Sequence, residues 1–146
     1  MKTWLRAHWA MLAALACVAV LFVVRSNLSC DPALRSSEGA AIGYTNLDPF
    51  EGNEQWTMYL TQDDPQLQEL IDLLAGQSYR KHLIQDGRLP GGPDLMIGFY
   101  NQNGFTVQFI LVRDGGLAID GTIASPWPWG KNETELFDAA MEILAK

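Results

Sequence analysis

The sequence predicts an α+β fold in which an antiparallel sheet carries two helices on one face, in the order β-β-α-β-β-β-β-α. Three observations lead to this prediction: several runs alternate apolar and polar residues, two segments carry apolar residues at helical spacing, and the connections between them are short. A sheet with both helices on one face buries both apolar stripes. We expect residues 40–146 to form this domain, behind an N-terminal membrane anchor or signal segment (1–30) and a tether (31–39).

The leader contains an uncharged stretch of 16 residues, WAMLAALACVAVLFVV, at positions 9–24. Lys2 and Arg6 precede it, as in the positive and apolar regions of an export signal. As a helix it would measure about 24 Å, slightly less than a typical hydrocarbon core. The positive-inside bias places the amino terminus in the cytoplasm and the domain outside. The sequence therefore predicts a single-pass protein of the cell membrane, with lipid-anchored and secreted forms as alternatives.

Cys30 stands where the leader ends, in the stretch VVRSNLSC. Ser29-Cys30 fits a lipoprotein signal, in which the cysteine receives the lipid. Asn27 occupies the position where that signal has leucine, and Arg25 interrupts the approach from the apolar stretch. We therefore favour an uncleaved membrane helix, while lipidation of Cys30 and cleavage elsewhere stay open. All three readings put the same domain on the same side of the membrane.

DPALRSSEG (31–39), ahead of the domain, is predicted to be a short polar tether. Two strands are expected at 41–47 and 54–61, and in the second the residues Trp56, Met58 and Leu60 form one apolar face. DDPQLQELIDLLAG then predicts a helix over 65–75. The signals in this segment are a capping aspartate, a proline at the first helical position, an apolar stripe at helical spacing and a glycine suited to a left-handed C-terminal position: Asp64, Pro65, Leu67, Leu70, Ile71, Leu74 and Gly76.

The second half is predicted to be a meander followed by a helix. A strand at 78–85 precedes DLMIGFYN and FTVQFILVR, which are joined by a Gln102-Asn103-Gly104 turn. LAIDGTIA (117–124) is expected to be one further strand. In FTVQFILVR two sets of side chains alternate; Phe105, Val107, Phe109 and Leu111 point one way, and Thr106, Gln108, Ile110 and Val112 point the other. The second set becomes apolar toward its end, which predicts a partly covered far face. Asn132 and Glu135 form a capping pair that starts a helix over about 133–145.

The charge of the chain is divided unevenly. Residues 31–146 hold seven of the Lys and Arg residues and all 17 acidic ones, a net charge of −10. Such a domain repels nucleic-acid backbones and anionic headgroups, so nucleic acid is not expected as a partner. The densest positive cluster is Arg80-Lys81-His82. The folded part contains no cysteine after Cys30 and needs a core that is stable without disulfides.

No catalytic constellation is present in the sequence. The two histidines are His8 and His82, and the spacings of nucleophile elbows, phosphate-binding loops and zinc sites are missing. We expect no enzyme activity, catalytic residues, metal or cofactor. A small cell-wall hydrolase remains an alternative, because the domain has carboxylates that could face each other across a cleft.

Binding candidates are the loop SPWPWGK (125–131) and the basic cluster. Two prolines stiffen the loop, and Trp127 and Trp129 could offer rigid aromatic surfaces to a peptide, a sugar or a membrane. The same indoles could instead cover the end of the core. Arg80 and Lys81 are the accompanying candidates on the 78–85 strand.

The layout of leader, strand pair, DDPQLQELIDLLAG helix, SYRKHL strand, meander and C-terminal helix resembles small, largely uncharacterised membrane- or lipid-anchored extracytoplasmic proteins of Gram-positive bacteria. The resemblance covers nearly the whole chain and concerns layout, with no shared catalytic residues. The leader, the acidic domain and the missing catalytic constellation together predict a non-enzymatic domain that binds or senses an envelope protein or peptide. An immunity or inhibitor protein against a toxin or hydrolase is the first alternative.

Overall fold

The computed structural model describes residues 2–47, 52–82, 93–126 and 131–146, and for residues 2–7, 10 and 23–26 it describes the backbone alone. Trp127 and Trp129, and the last three residues of the predicted 78–85 strand (83–85), lie outside the described residues. The described part of the chain is an α+β fold, as the sequence predicts.

Within the described residues the sheet has eight strands, all antiparallel, in the spatial order β1-β4-β8-β7-β6-β5-β2-β3. The short connections between consecutive strands explain why β5, β6, β7 and β8 lie side by side. The strand bounds are β1 Asn27–Leu28, β2 Gly39–Asn46, β3 Glu54–Thr61, β4 Tyr79–Lys81, β5 Asp94–Tyr100, β6 Thr106–Arg113, β7 Gly116–Ile119 and β8 Thr122–Pro126.

The part of the chain that the structure describes has three α-helices: α1 Lys2–Ser26, α2 Pro65–Ala75 and α3 Glu133–Leu144. The stripes of α2 and α3 share one buried cluster with alternate residues of the strands. Leu70 of α2, Leu136 of α3 and Ile97 of β5 are all fully buried. Burying a side chain of this size stabilises the fold by about 1.5–3 kcal/mol. Both helices therefore pack on the same face of the sheet.

The strand expected at 117–124 is two strands, β7 and β8, joined by a tight turn. Asp120 and Gly121 both have positive φ, 48° and 76°, which is the backbone of a two-residue hairpin. The Asp120 carboxylate accepts a hydrogen bond from the Phe109 amide at 2.8 Å, and this contact holds the turn beside β6. With β1 added, the order observed in the described residues after α1 is β-β-β-α-β-β-β-β-β-α, two strands more than predicted.

The segment expected to be a tether, 31–39, is built into the fold. Pro32–Ser36 form a 3-10 helix, which the Asp31 carboxylate caps by accepting from the Ala33 amide at 2.8 Å. Leu34 is 0% exposed in the main core. The sequence reads as polar because one apolar side chain stands among small and charged neighbours, yet that side chain reaches the core.

Both ends of α2 differ in detail from the predicted signals. Asp64 occupies the N-cap position, but its carboxylate accepts from the Thr61 amide at 2.8 Å and makes no bond to the helix. Gly76 ends the helix with φ −78°, in the right-handed region. A Cβ on Gly76 would lie 2.6 Å from the carbonyl oxygen of Asp72. Close approach, rather than a left-handed backbone, explains the glycine.

In β6 the set that we expected on the far face is the buried one. Gln108, Ile110 and Val112 are buried, whereas Phe109 is 41% exposed. The neighbouring strand explains the choice, because β5 places three large apolar residues, Leu95, Ile97 and Phe99, on one side. Its other side includes an aspartate and a glycine and is less continuously apolar. The helices settle on the side where apolar side chains continue from strand to strand. The capping box of α3 and the Asn103-Gly104 turn form as predicted.

Candidate interaction surfaces

Helix α1 presents apolar side chains to its surroundings along its described length. Trp9, Leu15 and Leu21 are 66%, 57% and 67% exposed, and side chains between them are exposed in every direction around the helix. Among the described residues, no helix combines the length and the apolar character required to cross a membrane.

The exit of α1 is joined directly to the domain. Ser26 ends the helix, and β1 follows without a connecting loop and pairs with β4, with Asn27 opposite Arg80 and Leu28 opposite Tyr79. The Arg80 guanidinium lies 5.6 Å from the centre of the Phe22 ring. A cation–π contact at an exposed site contributes about 0.5–1 kcal/mol. The junction between helix and domain is therefore part of the sheet edge.

Cys30, the candidate lipidation site, is half-buried beside the C-terminal end of α2. Its thiol donates to the carbonyl oxygen of Leu74 at 3.6 Å, and the Tyr79 hydroxyl donates to the same oxygen at 2.6 Å. Burial raises the pKa of Cys30 to about 11, against a smaller lowering by the hydrogen bond with Tyr79. The thiol is thus neutral at physiological pH, and neutral thiols are poor nucleophiles.

The basic candidates Arg80 and Lys81 lie next to each other on β4, and both are exposed. Successive strand residues point to opposite faces, so the two cations do not share one surface. His82 follows them, and its Nε2 lies 2.8 Å from the Ser125 hydroxyl of β8. The structure therefore distributes the cluster over both faces of β4, which lies between β1 and β8.

The face of the sheet opposite α2 and α3 carries an apolar surface that the sequence reading missed. Strand registers arrange eight residues in two rows across β3, β2, β5 and β6. We call this surface the open face; its rows are Tyr59, Ala41, Gly98, Phe109 and Thr57, Gly43, Met96, Leu111. Tyr59 is 71% exposed and Met96 is 37% exposed.

The first row of the open face has large residues at its ends and small ones between them. Tyr59 and Phe109 stand three strand spacings apart, about 14 Å. Ala41 and Gly98 form the floor of the slot between the two rings. A Cβ on Gly98 would meet its nearest atom, in the Phe109 ring of the same chain, at 3.8 Å, which is an ordinary van der Waals contact, so the floor admits a methyl group beside that ring.

Several charged side chains in the described part of the chain form ion pairs or hydrogen bonds within the domain. No group of three or more His, Cys, Asp or Glu side chains is placed to hold a metal ion among these residues. Asp94 and Arg113 form an ion pair between β5 and β6. Two hydrogen bonds from Thr61, first from its amide and then from its hydroxyl, lower the pKa of Asp64. These interactions explain the carboxylates involved as structural groups.

Comparison of the chain with protein-family models, curated proteins and solved structures finds no match.

The sequence contained a signal for the open face in the alternation of β6. In the second half of this strand both side-chain sets are apolar, so one apolar set is left on the face away from the helices. Gly43 and Gly98, on neighbouring strands, lie on this same face and leave part of it without side chains. Pairing these strands in register from sequence alone would have located the slot.

Proposed function

We propose that this protein is a non-enzymatic binding or sensing domain held at the outer side of a cell membrane by its leader. The single observation that carries the proposal is the exposure of apolar side chains all around α1. A helix that is apolar on every side requires an apolar environment to cover it. Lys2 and Arg6 ahead of this stretch, with a net charge of −10 after residue 30, favour an outward-facing domain.

An uncleaved helix supports attachment better than a lipid on Cys30. The Cys30 thiol is half-buried against Leu74, and a lipid on its sulfur would have to displace that contact. Removal of the leader before Cys30 would also remove β1 from the sheet edge. The leader and the domain are, in this proposal, one continuous unit, in keeping with the resemblance to anchored extracytoplasmic proteins.

Fractionation and protease protection of intact protoplasts test the placement. We expect the chain in the membrane fraction and its domain to be digested by external protease. Cys30→Ser, with Cys17→Ser as the matched control, should stay in the membrane fraction, and the mature protein should begin at Met1 by mass spectrometry. A domain that external protease cannot reach, or release of the Cys30→Ser chain alone, would contradict the proposal.

An immunity or inhibitor protein against a toxin or hydrolase is the second candidate, favoured by the charge of the domain. A surface with net charge −10 accelerates association with a basic target. Pull-down with the purified basic secreted hydrolases of the same cell tests it, with Trp127→Ala/Trp129→Ala as the loop variant. If the variant captures the hydrolases as well as wild type does, the loop is not part of the binding surface. If wild type captures none of them at low salt, this function is excluded.

A further inference from the structure

The open face is the feature of the described residues that the anchoring role does not use. Three of its four strands expose aromatic or thioether side chains there, with Tyr59, Phe109 and Met96 at 71%, 41% and 37% exposure. The two helices of the domain lie on the opposite face. An exposed apolar surface that spans several strands marks an interaction site in a soluble domain.

The shape of the open face is complementary to itself. Phe109 is a projecting ring, and directly beside it in the same row are the small residues Gly98 and Ala41. In a twofold dimer every contact occurs twice: if one position in the first copy contacts a second position in the partner copy, the second position in the first copy also contacts the first position in the partner. A twofold axis between the ring and the slot therefore places Phe109 of each copy above the small-residue floor of the other.

The charges favour the same arrangement. On the four strands of the open face, the side chains that point to this side carry charge only at Asp94 and Arg113, which pair with each other. Six of the acidic residues lie on α2 and α3, on the other side of the sheet: Glu69, Asp72, Glu133, Glu135, Asp138 and Glu142. Two copies that meet through their open faces keep these helices at the outside, where repulsion between them is smallest.

We propose that the open face is the interface of a homodimer, in which the sheets of two copies pack face to face with Phe109 in the Ala41–Gly98 slot of the partner copy. Packed sheets lie about 10 Å apart, which lets side chains from both inner faces interdigitate. The resulting order of layers is helices, sheet, sheet, helices. This proposal does not depend on how the leader is held.

Sedimentation equilibrium of the full chain in density-matched detergent tests the dimer. We expect wild type to be a dimer, and both Phe109→Ser and Gly98→Leu to weaken it by about 10-fold or more, because one removes the ring and the other fills the slot. Gln68→Leu, which adds the same side chain to the exposed side of α2, is the matched control and should dimerise as wild type does. Circular dichroism checks that each variant is folded, and Phe109→Ser decides alone if Gly98→Leu is not.

The salt dependence of the affinity tests whether the open face binds a second copy or another occupant. The dimer of acidic chains should become tighter between low and high NaCl, because salt screens their mutual repulsion. A wild type that is monomeric at every concentration overturns the proposal. A dimer that keeps its affinity in both Phe109→Ser and Gly98→Leu also overturns the proposal, because the contact would then lie elsewhere. The same holds if Gln68→Leu weakens the dimer as much as the open-face variants do. Co-sedimentation of monomers with phosphatidylglycerol vesicles that depends on Phe109 would assign the face to lipid instead.

Discussion

The backbone amide of Asp31 donates a hydrogen bond to Oε1 of Gln108 at 3.1 Å, across 77 positions of sequence. This contact joins the segment that follows the leader to the centre of the sheet. Nε2 of the Gln108 side chain donates to the Asp120 carboxylate at 3.1 Å, and Asp120 lies in the β7–β8 turn. Gln108 is 3% exposed, so one buried side chain connects the leader exit, β6 and the hairpin.

Replacing Gln108 should destabilise the domain, because this polar side chain is buried and makes two hydrogen bonds. Gln108→Leu keeps the volume but leaves the Asp31 amide without its acceptor and takes a donor from Asp120. We expect a loss of about 1–3 kcal/mol in the free energy of unfolding, measured by urea denaturation. Gln68→Leu on exposed α2 is the control and should change it by less than about 0.5 kcal/mol. Equal stability of the two variants would show that the buried network contributes nothing.

Leu34 is expected to behave as a core residue although it lies in a polar segment. It is 0% exposed, and truncation to alanine should cost about 2–5 kcal/mol of unfolding free energy. Leu47→Ala is the matched control, since Leu47 is 70% exposed and its truncation should have little effect. Thermal unfolding followed by circular dichroism measures both. If Leu34→Ala unfolds at the wild-type temperature, residues 31–39 are a tether after all.

The elements that the sequence predicted are those whose signals are local. The apolar stripe of α2 and the capping box of α3 depend on residues within four positions, and both form as expected. The facing of β6 and the burial of Leu34 depend instead on which distant strands become neighbours. Alternation cannot choose a face when both sets in a strand are apolar, because the choice is made by β5 and the helices. The open face was missed for the same reason.

Gly76 provides a test of why a glycine ends α2. An alanine Cβ would approach the Asp72 carbonyl oxygen to 2.6 Å, so backbone must shift to admit it. We expect Gly76→Ala to lower the unfolding free energy by about 1–3 kcal/mol in urea denaturation. Gly43→Ala on the open face is the matched control, because its Cβ meets only the Met96 methyl at 3.5 Å. That change should be neutral or slightly stabilising, since it restricts the unfolded chain. A neutral Gly76→Ala would show that the helix end adjusts without strain.

Cys30 should make the stability of the domain fall in alkaline solution. Burial raises its pKa from an ordinary 9.0 to about 11, and burial also raises the pKa of Tyr79 beside it. Above pH 9 the unfolded chain releases the thiol proton while the folded chain retains it, so the folded state binds more protons. The unfolding free energy therefore decreases as pH rises from about 9 to 11. Below pH 9 the thiol is protonated in both states and contributes no pH dependence.

Urea denaturation at pH 8, 9, 10 and 11 measures this dependence. Cys30→Ala should show a flatter decline than wild type, whereas Cys17→Ala, which changes an exposed thiol, should decline as wild type does. The decline that remains in Cys30→Ala belongs in part to Tyr79, which stays protonated in the folded chain by the same burial. Because the Tyr79 hydroxyl also holds the Leu74 carbonyl at 2.6 Å, Tyr79→Phe should lower stability at pH 8 and flatten the alkaline decline further. Identical pH profiles for wild type and Cys30→Ala would mean that the thiol is as accessible to water in the folded chain as in the unfolded one.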